Sequence, residues 1–425
     1  MPEKKKLIVS ISDIHISDET LSSNVSPKVF DIFYQNVSSR ILKENIKELT
    51  VILNGDIFEF LRSDKWFDID YSKRMYNVEI LKPNNLMLHS TQIPIQIWED
   101  IKSKPLYKKM METLVSLKGL VDEMDVIYVC GNHDKFMRKE FNYYFKIEIE
   151  RMLKEQSIVF TLENSRTIIY LDNTKLIFEH GHASDEENIP VMDILTPAIG
   201  DVITIELLSG FLLRIKQHPN DSISKLYDDL VEINNISPLT DAVKFIEFQV
   251  NDGRYLSSAI YDEIFLLFKD SILAVTDSAI AKFYTKRKPN LVFFGDIVDH
   301  LNNIRTFMNF DSLRFIANII LDKLSKFYNS VDIDKLITEN IIGHDIRRYT
   351  LPTIIVAGHT HDAKSLGITE GIQYYNTGTF LPVIKRDIGQ ESFTRFQQLS
   401  IFQALVDRDE VLINTDLWHA TRKEF

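Results

Sequence analysis

Five short polar clusters hold the residues of this chain that could do chemistry: Asp13-Ile14-His15, Asn54-Gly55-Asp56, Gly131-Asn132-His133-Asp134, His180-Gly181-His182 and Gly358-His359-Thr360-His361. They supply carboxylates, imidazoles and two amides. All are oxygen or nitrogen donors, which suits borderline divalent ions, Mn first and also Fe, Zn, Co or Ni. One carboxylate can bridge two such ions. A pair roughly 3.5 to 4 Å apart clamps a phosphoryl group, lowers the pKa of a bound water and stabilises charge on the attacking and leaving oxygens. Hydrolysis of a phosphoester needs all three effects. The single Cys130 offers neither an intramolecular disulfide nor a cysteine cage, which again directs metal binding to His, Asp and Asn.

Each cluster stands where a short apolar, β-branched run stops: Leu7–Ile11, Val51–Leu53, Val126–Val129, Leu176–Phe178 and Thr353–Val356. Such runs read as buried strands. Between them, apolar residues recur at spacings of three and four, as in Val29, Ile32, Phe33, Val37, Ile41 and in Leu106, Met110, Leu114, Leu117, Val121. These are helix patterns, and the alternation implies an α/β core. In such sheets the carboxyl ends of several strands converge on one crevice, so the five clusters are expected to form one site. Asp172-Asn173 reads as a hairpin turn between Arg166–Tyr170 and Lys175–Phe178, and Ile372–Asn376 and Glu410–Asn414 favour strands, so pairing is mixed. Residues 185–349 are mostly helical in pattern, with runs at Ser224–Ile233, Ser257–Lys282 and Ser312–Tyr328, and read as an insertion. The stretch Leu61–Lys104 carries Trp66, Tyr71, Tyr76 and Trp98 with little periodicity and reads as a cover for the site.

Taken in order, the clusters resemble the calcineurin-like metallophosphoesterase superfamily, whose pattern runs D-x-H, G-D, G-N-H-D or G-N-H-E, H, and G-H-x-H. The resemblance covers roughly Leu7–His182 and Thr353–Phe380, the latter including Asn376-Thr377-Gly378-Thr379, which is similar to the family's N-x-G-S/T segment. It implies a first metal on Asp13, His15, Asp56 and His361, and a second on Asp56, Asn132, His180 and His359. His133 would face the phosphate and assist the leaving oxygen, with Asp134 orienting it. His182 would lie behind the ligands or face substrate. The implied reaction is attack on phosphorus by a hydroxide held between the ions. The implied architecture is a four-layer αββα sandwich of residues 1–184 and 350–425, with 185–349 as cap, specificity element or oligomer interface. A looser likeness, through Gly55-Asp56-Ile57-Phe58-Glu59-Phe60 and the helical insertion, is to the UDP-2,3-diacylglucosamine pyrophosphatase branch, whose best-known members carry Arg where His133 stands.

Composition narrows the class. The chain has 425 residues, 44% of them hydrophobic and 26% charged, as expected of a globular protein large enough for a core and an insertion. A formal net charge of -12 disfavours long nucleic acid, whose affinity comes largely from phosphate neutralisation, and favours a phosphorylated small molecule or nucleotide-like substrate. A nuclease is the alternative with the same metals, and a scaffold that kept the fold without the chemistry is another. The apolar stretch Ile189–Ile215 is broken by Asp193, Pro197, Asp201 and Glu206 and reads as no membrane span. With a single cysteine and no apolar leader after Met1–Lys6, a cytoplasmic address is expected. Gly295-Asp296 imitates the second cluster but falls within the insertion and reads as a turn. His344-Asp345 reads as solvated loop, and His89, His218, His300 and His419 have no partners at ligand spacing.

Overall fold

The computed structural model describes residues 5–77, 92–138, 144–190, 196–237, 241–251, 258–287, 333–345, 351–369, 371–387, 392–407 and 410–424. Two mixed β-sheets organise an α/β fold. The first contains β1 (Lys6–Ile11), β2 (Glu48–Asn54), β3 (Glu123–Val129), β4 (Val159–Glu163), β10 (Pro382–Arg386), β11 (Phe393–Asp407) and β12 (Glu410–Glu424), in the order β10-β11-β1-β2-β3-β4 with β12 on β11. The second is ordered β5-β6-β7-β9-β8, from Arg166–Leu171, Thr174–Glu179, Thr353–Ala357, Ile372–Asn376 and Lys364–Thr369 respectively. β1 to β4 run parallel, as do β6, β7 and β9. The expected hairpin is the antiparallel pair β5 and β6, closing from Leu171 to Thr174.

The apolar runs are continuous because both strand faces are buried, and successive side chains divide between two cores. Leu7, Val9, Ile11, Val51 and Leu53 meet Phe30, Phe33 and Val37 of the helix Lys28–Glu44 and Met110, Leu114 and Leu117 of the helix Pro105–Lys118. Their neighbours Ile8, Ile52 and Val129 point the other way, against Leu176, Phe178, Ile354 and Val356 of the second sheet. On the far side of that sheet, Ile177, Ile355 and Ala357 pack on Ile337 and Ile341 of the helix Ile333–Asp345. That helix lies in the stretch assigned by sequence to the insertion, yet it docks on the second sheet.

The stretch 61–104 departs from its expected role. The helix Gln92–Ser103 buries Ile93, Ile97, Trp98 and Ile101, and Trp66, Tyr76 and Trp98 belong to the main core. Within 185–349, the helix Ile199–Val202 continues through a π-helical segment, Ile203–Ser209, into Gly210–Lys216, followed by Ala242–Asn251, Ser258–Asp277 and Ala279–Arg287. Gly210–Lys216, Ala242–Asn251 and Ser258–Asp277 build a second core around Phe211, Leu212, Phe245, Ile264 and Phe268, which also takes Ile384 and Phe393 of β10 and β11, whereas Ile199, Val202, Ile205, Ile280 and Ala281 pack into the main core. The run Ser312–Tyr328 and Gly295-Asp296 lie outside the described residues. No helix among the described residues is long and apolar enough to cross a membrane.

The insertion is tied to the core by charge as well as by apolar contact. Glu206, fully buried in the π-helical segment, receives Arg74 and the Tyr76 hydroxyl, while the Arg74 guanidinium lies over the Phe67 ring at 4.5 Å. Removing the cation would leave a buried carboxylate uncompensated. Arg74→Met should therefore lower unfolding free energy by about 3–5 kcal/mol in urea titration; a change within about 0.5 kcal/mol would mean that water already solvates Glu206.

Candidate active site at the converging strand ends

The carboxyl ends of β1, β2, β3, β6 and β7 face one crevice, and the five polar clusters follow these strands directly. The chain reverses so sharply there that Asp13, His15, Asp56, His359 and His361 all adopt left-handed backbone, with φ of 52°, 51°, 52°, 72° and 59°. Left-handed backbone costs a non-glycine residue about 1–2 kcal/mol, less for Asp, and persists only where surrounding contacts enforce it. Those contacts are visible: Asp13 N–H donates to Gly55 O at 3.0 Å, His15 N–H to Asp56 O at 3.0 Å, and Phe380 N–H and Thr379 Oγ1 to Asp13 O at 3.1 and 2.8 Å. Glycines make room for the side chains. A Cβ at Gly131 would collide with Asp56 Oδ1, one at Gly358 with Asp13 Oδ2, and one at Gly55 would stand 2.5 Å from the His180 ring.

Two donor groups result, Asp13 with His15 and His361 and Asp56 with His180 and His359, and a third, His15 with Asp56 and His133, bridges them. His361 Nε2 stands 3.2 Å from Asp13 Oδ1 and 3.3 Å from His15 Nε2, which is itself 3.8 Å from Asp56 Oδ2. His180 Nε2 lies 3.2 Å from the same Asp56 oxygen, and His359 completes a cluster with these two. All residues expected as ligands are thus brought together, Asn132 included, since it lines the same cleft.

The donor set fits divalent ions. His15 Nδ1 is held by Glu59 at 3.1 Å and His180 Nδ1 by Asn54 O at 3.0 Å, which leaves each Nε2 for a ligand. Asn132 Oδ1 is buried without a hydrogen bond, a costly arrangement unless a ligand takes it up, and His180 Nε2 has only its ion-pair contact with Asp56. Electrostatics agree. Burial pushes Asp56 up, but the charges of His180 and His133 outweigh it and hold the carboxyl well below its usual range. Burial pushes His180 down, but Asp56 and Asp13 outweigh it and lift the imidazole to about 10. Burial, above all, depresses His15 to about 4.

His133 donates its backbone N–H to Asp56 Oδ1 at 2.8 Å, so the residue that follows β3 is pinned to the shared carboxylate. Its orienting partner is a correction. Glu59, not Asp134, holds the His133 ring, with Nδ1 2.9 Å from Glu59 Oε1. Asp134 is consumed by its own turn: it accepts from Gly131 N at 2.6 Å, from Ile57 N at 2.9 Å and from the Tyr128 hydroxyl. Burial and the nearby Asp56 raise it to about 6. Glu59 joins His133, His15, the Leu61 amide and Arg62 Nε, and sequence reading missed that role. The available clue was its place three residues after Asp56, in the same tight turn. His182 stays out of both donor groups: Arg138 donates to its Nε2 at 2.9 Å, and burial followed by the Arg138 charge holds it well below the usual imidazole range.

The crevice opens into a cleft of about 250 Å³, lined at its base by Asp56, Asn132, His133, His359 and His361. Its outer wall comes from the insertion through Ile203, Leu208, Asn235 and Ile236, and from Val383 of β10, next to the Ile236–Ile384 bridge. Trp66, Tyr76 and Trp98 do not line it. Arg62 does, and no hydrogen bond from its terminal nitrogens is found among the described residues. His218 pairs with Glu263 at 3.5 Å, His344 lies in the last turn of a helix rather than in a loop, His419 lies in β12, and His89 and His300 fall outside the described residues. No family model matches the chain, and no curated protein matches it.

His180 holds a proton up to about 10, and a divalent ion must displace it. Ion affinity should therefore climb as pH rises through neutrality, with net proton release in calorimetry across buffers of different ionisation enthalpy. Binding without proton release would mean either that His180 is already neutral in the free protein or that it is not a ligand.

Proposed function

We propose that the chain is a dinuclear-metal-dependent phosphoester hydrolase, a phosphodiesterase or phosphatase of the calcineurin-like metallophosphoesterase type. The observation that carries this reading is the pair of donor groups meeting at Asp56 at the ends of five strands. A four-layer αββα sandwich is the matching architecture. It is supported by helices on the outer face of the first sheet, apolar contact between the sheets and the helix Ile333–Asp345 on the outer face of the second. Residues 1–184 and 350–425 would form its core together with that helix, and the remaining helices of 185–349 would wall the cleft.

Asp13, His15, Asp56 and His361 would hold one ion, and Asp56, Asn132, His180 and His359 the other. When bound, the pair supplies an activated water and neutralises the phosphoryl oxygens. The chain's own residues supply the rest. Glu59 fixes His133 through Nδ1, which leaves Nε2 to donate a proton to the departing oxygen. Burial pushes His133 down, but Glu59 and Asp56 outweigh it and raise the ring above its usual range, which suits a proton donor. Arg62, anchored at Nε 3.3 Å from Glu59, presents its terminal nitrogens to an anionic substrate oxygen. Among the described lining residues it is the only Lys or Arg, which favours a compact phosphorylated substrate over long nucleic acid.

Mn-reconstituted protein should hydrolyse a bis-aryl phosphodiester or an aryl phosphomonoester. His133→Ala should keep its metal and lose about 10²–10⁴-fold in kcat, whereas Asp56→Ala should lose metal and turnover together. Arg62→Ala should act mainly on KM. Full activity in both His133→Ala and Asp56→Ala would sink the assignment.

A further inference from the structure

Beyond the ligands themselves, a short turn of the chain links two residues of the second donor group. Asp185 Oδ2 stands 3.0 Å from His359 Nε2 and accepts from Asn188 Nδ2 at 2.8 Å. Asn188 Oδ1 in turn accepts from Asn132 Nδ2 at 3.1 Å. The chain His359, Asp185, Asn188, Asn132 therefore runs unbroken across one side of the crevice, and each link has a direction. With Nδ2 engaged by Asn188, the Asn132 amide can only turn its Oδ1 inward, and that oxygen is the buried one without a partner. With Nε2 engaged by a carboxylate, His359 is fixed as the tautomer that carries the proton there, and Nδ1 remains as its donor atom.

The same turn opens the insertion and packs on its first described helix. Gly200, in the helix Ile199–Val202, donates its N–H to Glu187 O at 2.9 Å, and a Cβ on Gly200 would stand 2.7 Å from Asn188 Oδ1 and 3.2 Å from Glu187 O. The amide that aims Asn132 is thus seated directly against the element that walls the cleft.

We propose that Asp185 and Asn188 are positioning residues for the second metal, holding His359 and Asn132 in ligating orientation and seated against that helix at Gly200. The inference rests on the dinuclear reading above. Neither residue belongs to the five polar clusters, and neither touches the first donor group of Asp13, His15 and His361. Their loss should be selective for one ion of the two.

The test is Mn titration of the full chain by electron paramagnetic resonance and calorimetry, for the native protein and for Asn188→Leu, Asp185→Asn and Gly200→Ala, with folding checked by circular dichroism. The native protein should bind two ions and show a spin-coupled pair. The variants should keep the first ion with affinity changed less than threefold, and lose at least tenfold in affinity for the second, with the coupled spectrum giving way to that of an isolated ion. Gly200→Ala is the discriminating variant, because it displaces the Asn188 amide without removing any polar group. Two coupled ions of native affinity in all three variants would overturn the positioning role while leaving the dinuclear reading intact. Absence of bound ions from the native protein would overturn both.

Discussion

Two carboxylates pressed together in a dry crevice set the terms for this protein. Asp13 and Asp56 are almost wholly excluded from solvent, and the charge of Asp56 adds to the cost of ionising Asp13. Buried charge is tolerated only when it is compensated at close range. The compensation here comes from His180, joined by His133 at Asp56 and by His361 at Asp13, delivered from the ends of separate strands. A cluster of this kind has two ways to remain neutral: protons on the imidazoles, or cations in their place. That choice is the physical basis of the proposed metal site.

Holding the cluster is expensive in backbone terms. Left-handed conformations at Asp13, His15, Asp56, His359 and His361 are imposed by turns that follow β1, β2 and β7 within two to four residues. The rigidity that enforces them comes from the packed strands behind, where Ile8, Ile52 and Val129 interlock with Leu176, Phe178 and Val356. Sheet packing and site geometry are therefore one problem solved together. The Asn376-Thr377-Gly378-Thr379 segment belongs to the same solution, since Thr379 and Phe380 grip the Asp13 carbonyl and Asn376 grips that of Gly358.

The strand ends and their polar clusters were legible in the sequence because fully buried parallel strands leave continuous apolar runs, and a polar cluster at the end of such a run is costly unless it faces a cleft. The helix Gln92–Ser103 was harder: its apolar positions Ile93, Ile97, Trp98 and Ile101 follow a segment without pattern, so the period never built up. The helix Ile333–Asp345 was legible as a helix region but not as a layer of the core, because periodicity reports an apolar face and not what it packs against. Glu59 and Asp185 escaped notice for a related reason. Even a carboxylate placed close to a motif, as Glu59 is to Asp56, does not disclose its partners, and these roles exist only in the distances to His133, His15 and His359. The orienting role expected of Asp134 came from the family resemblance, whereas its oxygens are taken by Gly131, Ile57 and Tyr128.

The central claim is that Asp56 is shared by two cations. Crystallography of the Mn-loaded protein with anomalous difference maps addresses it directly. The account predicts two peaks roughly 3.5 to 4 Å apart on either side of the Asp56 carboxylate, one against His15 and His361 and the other against His180 and His359. A single peak, or two that do not share Asp56, would contradict it.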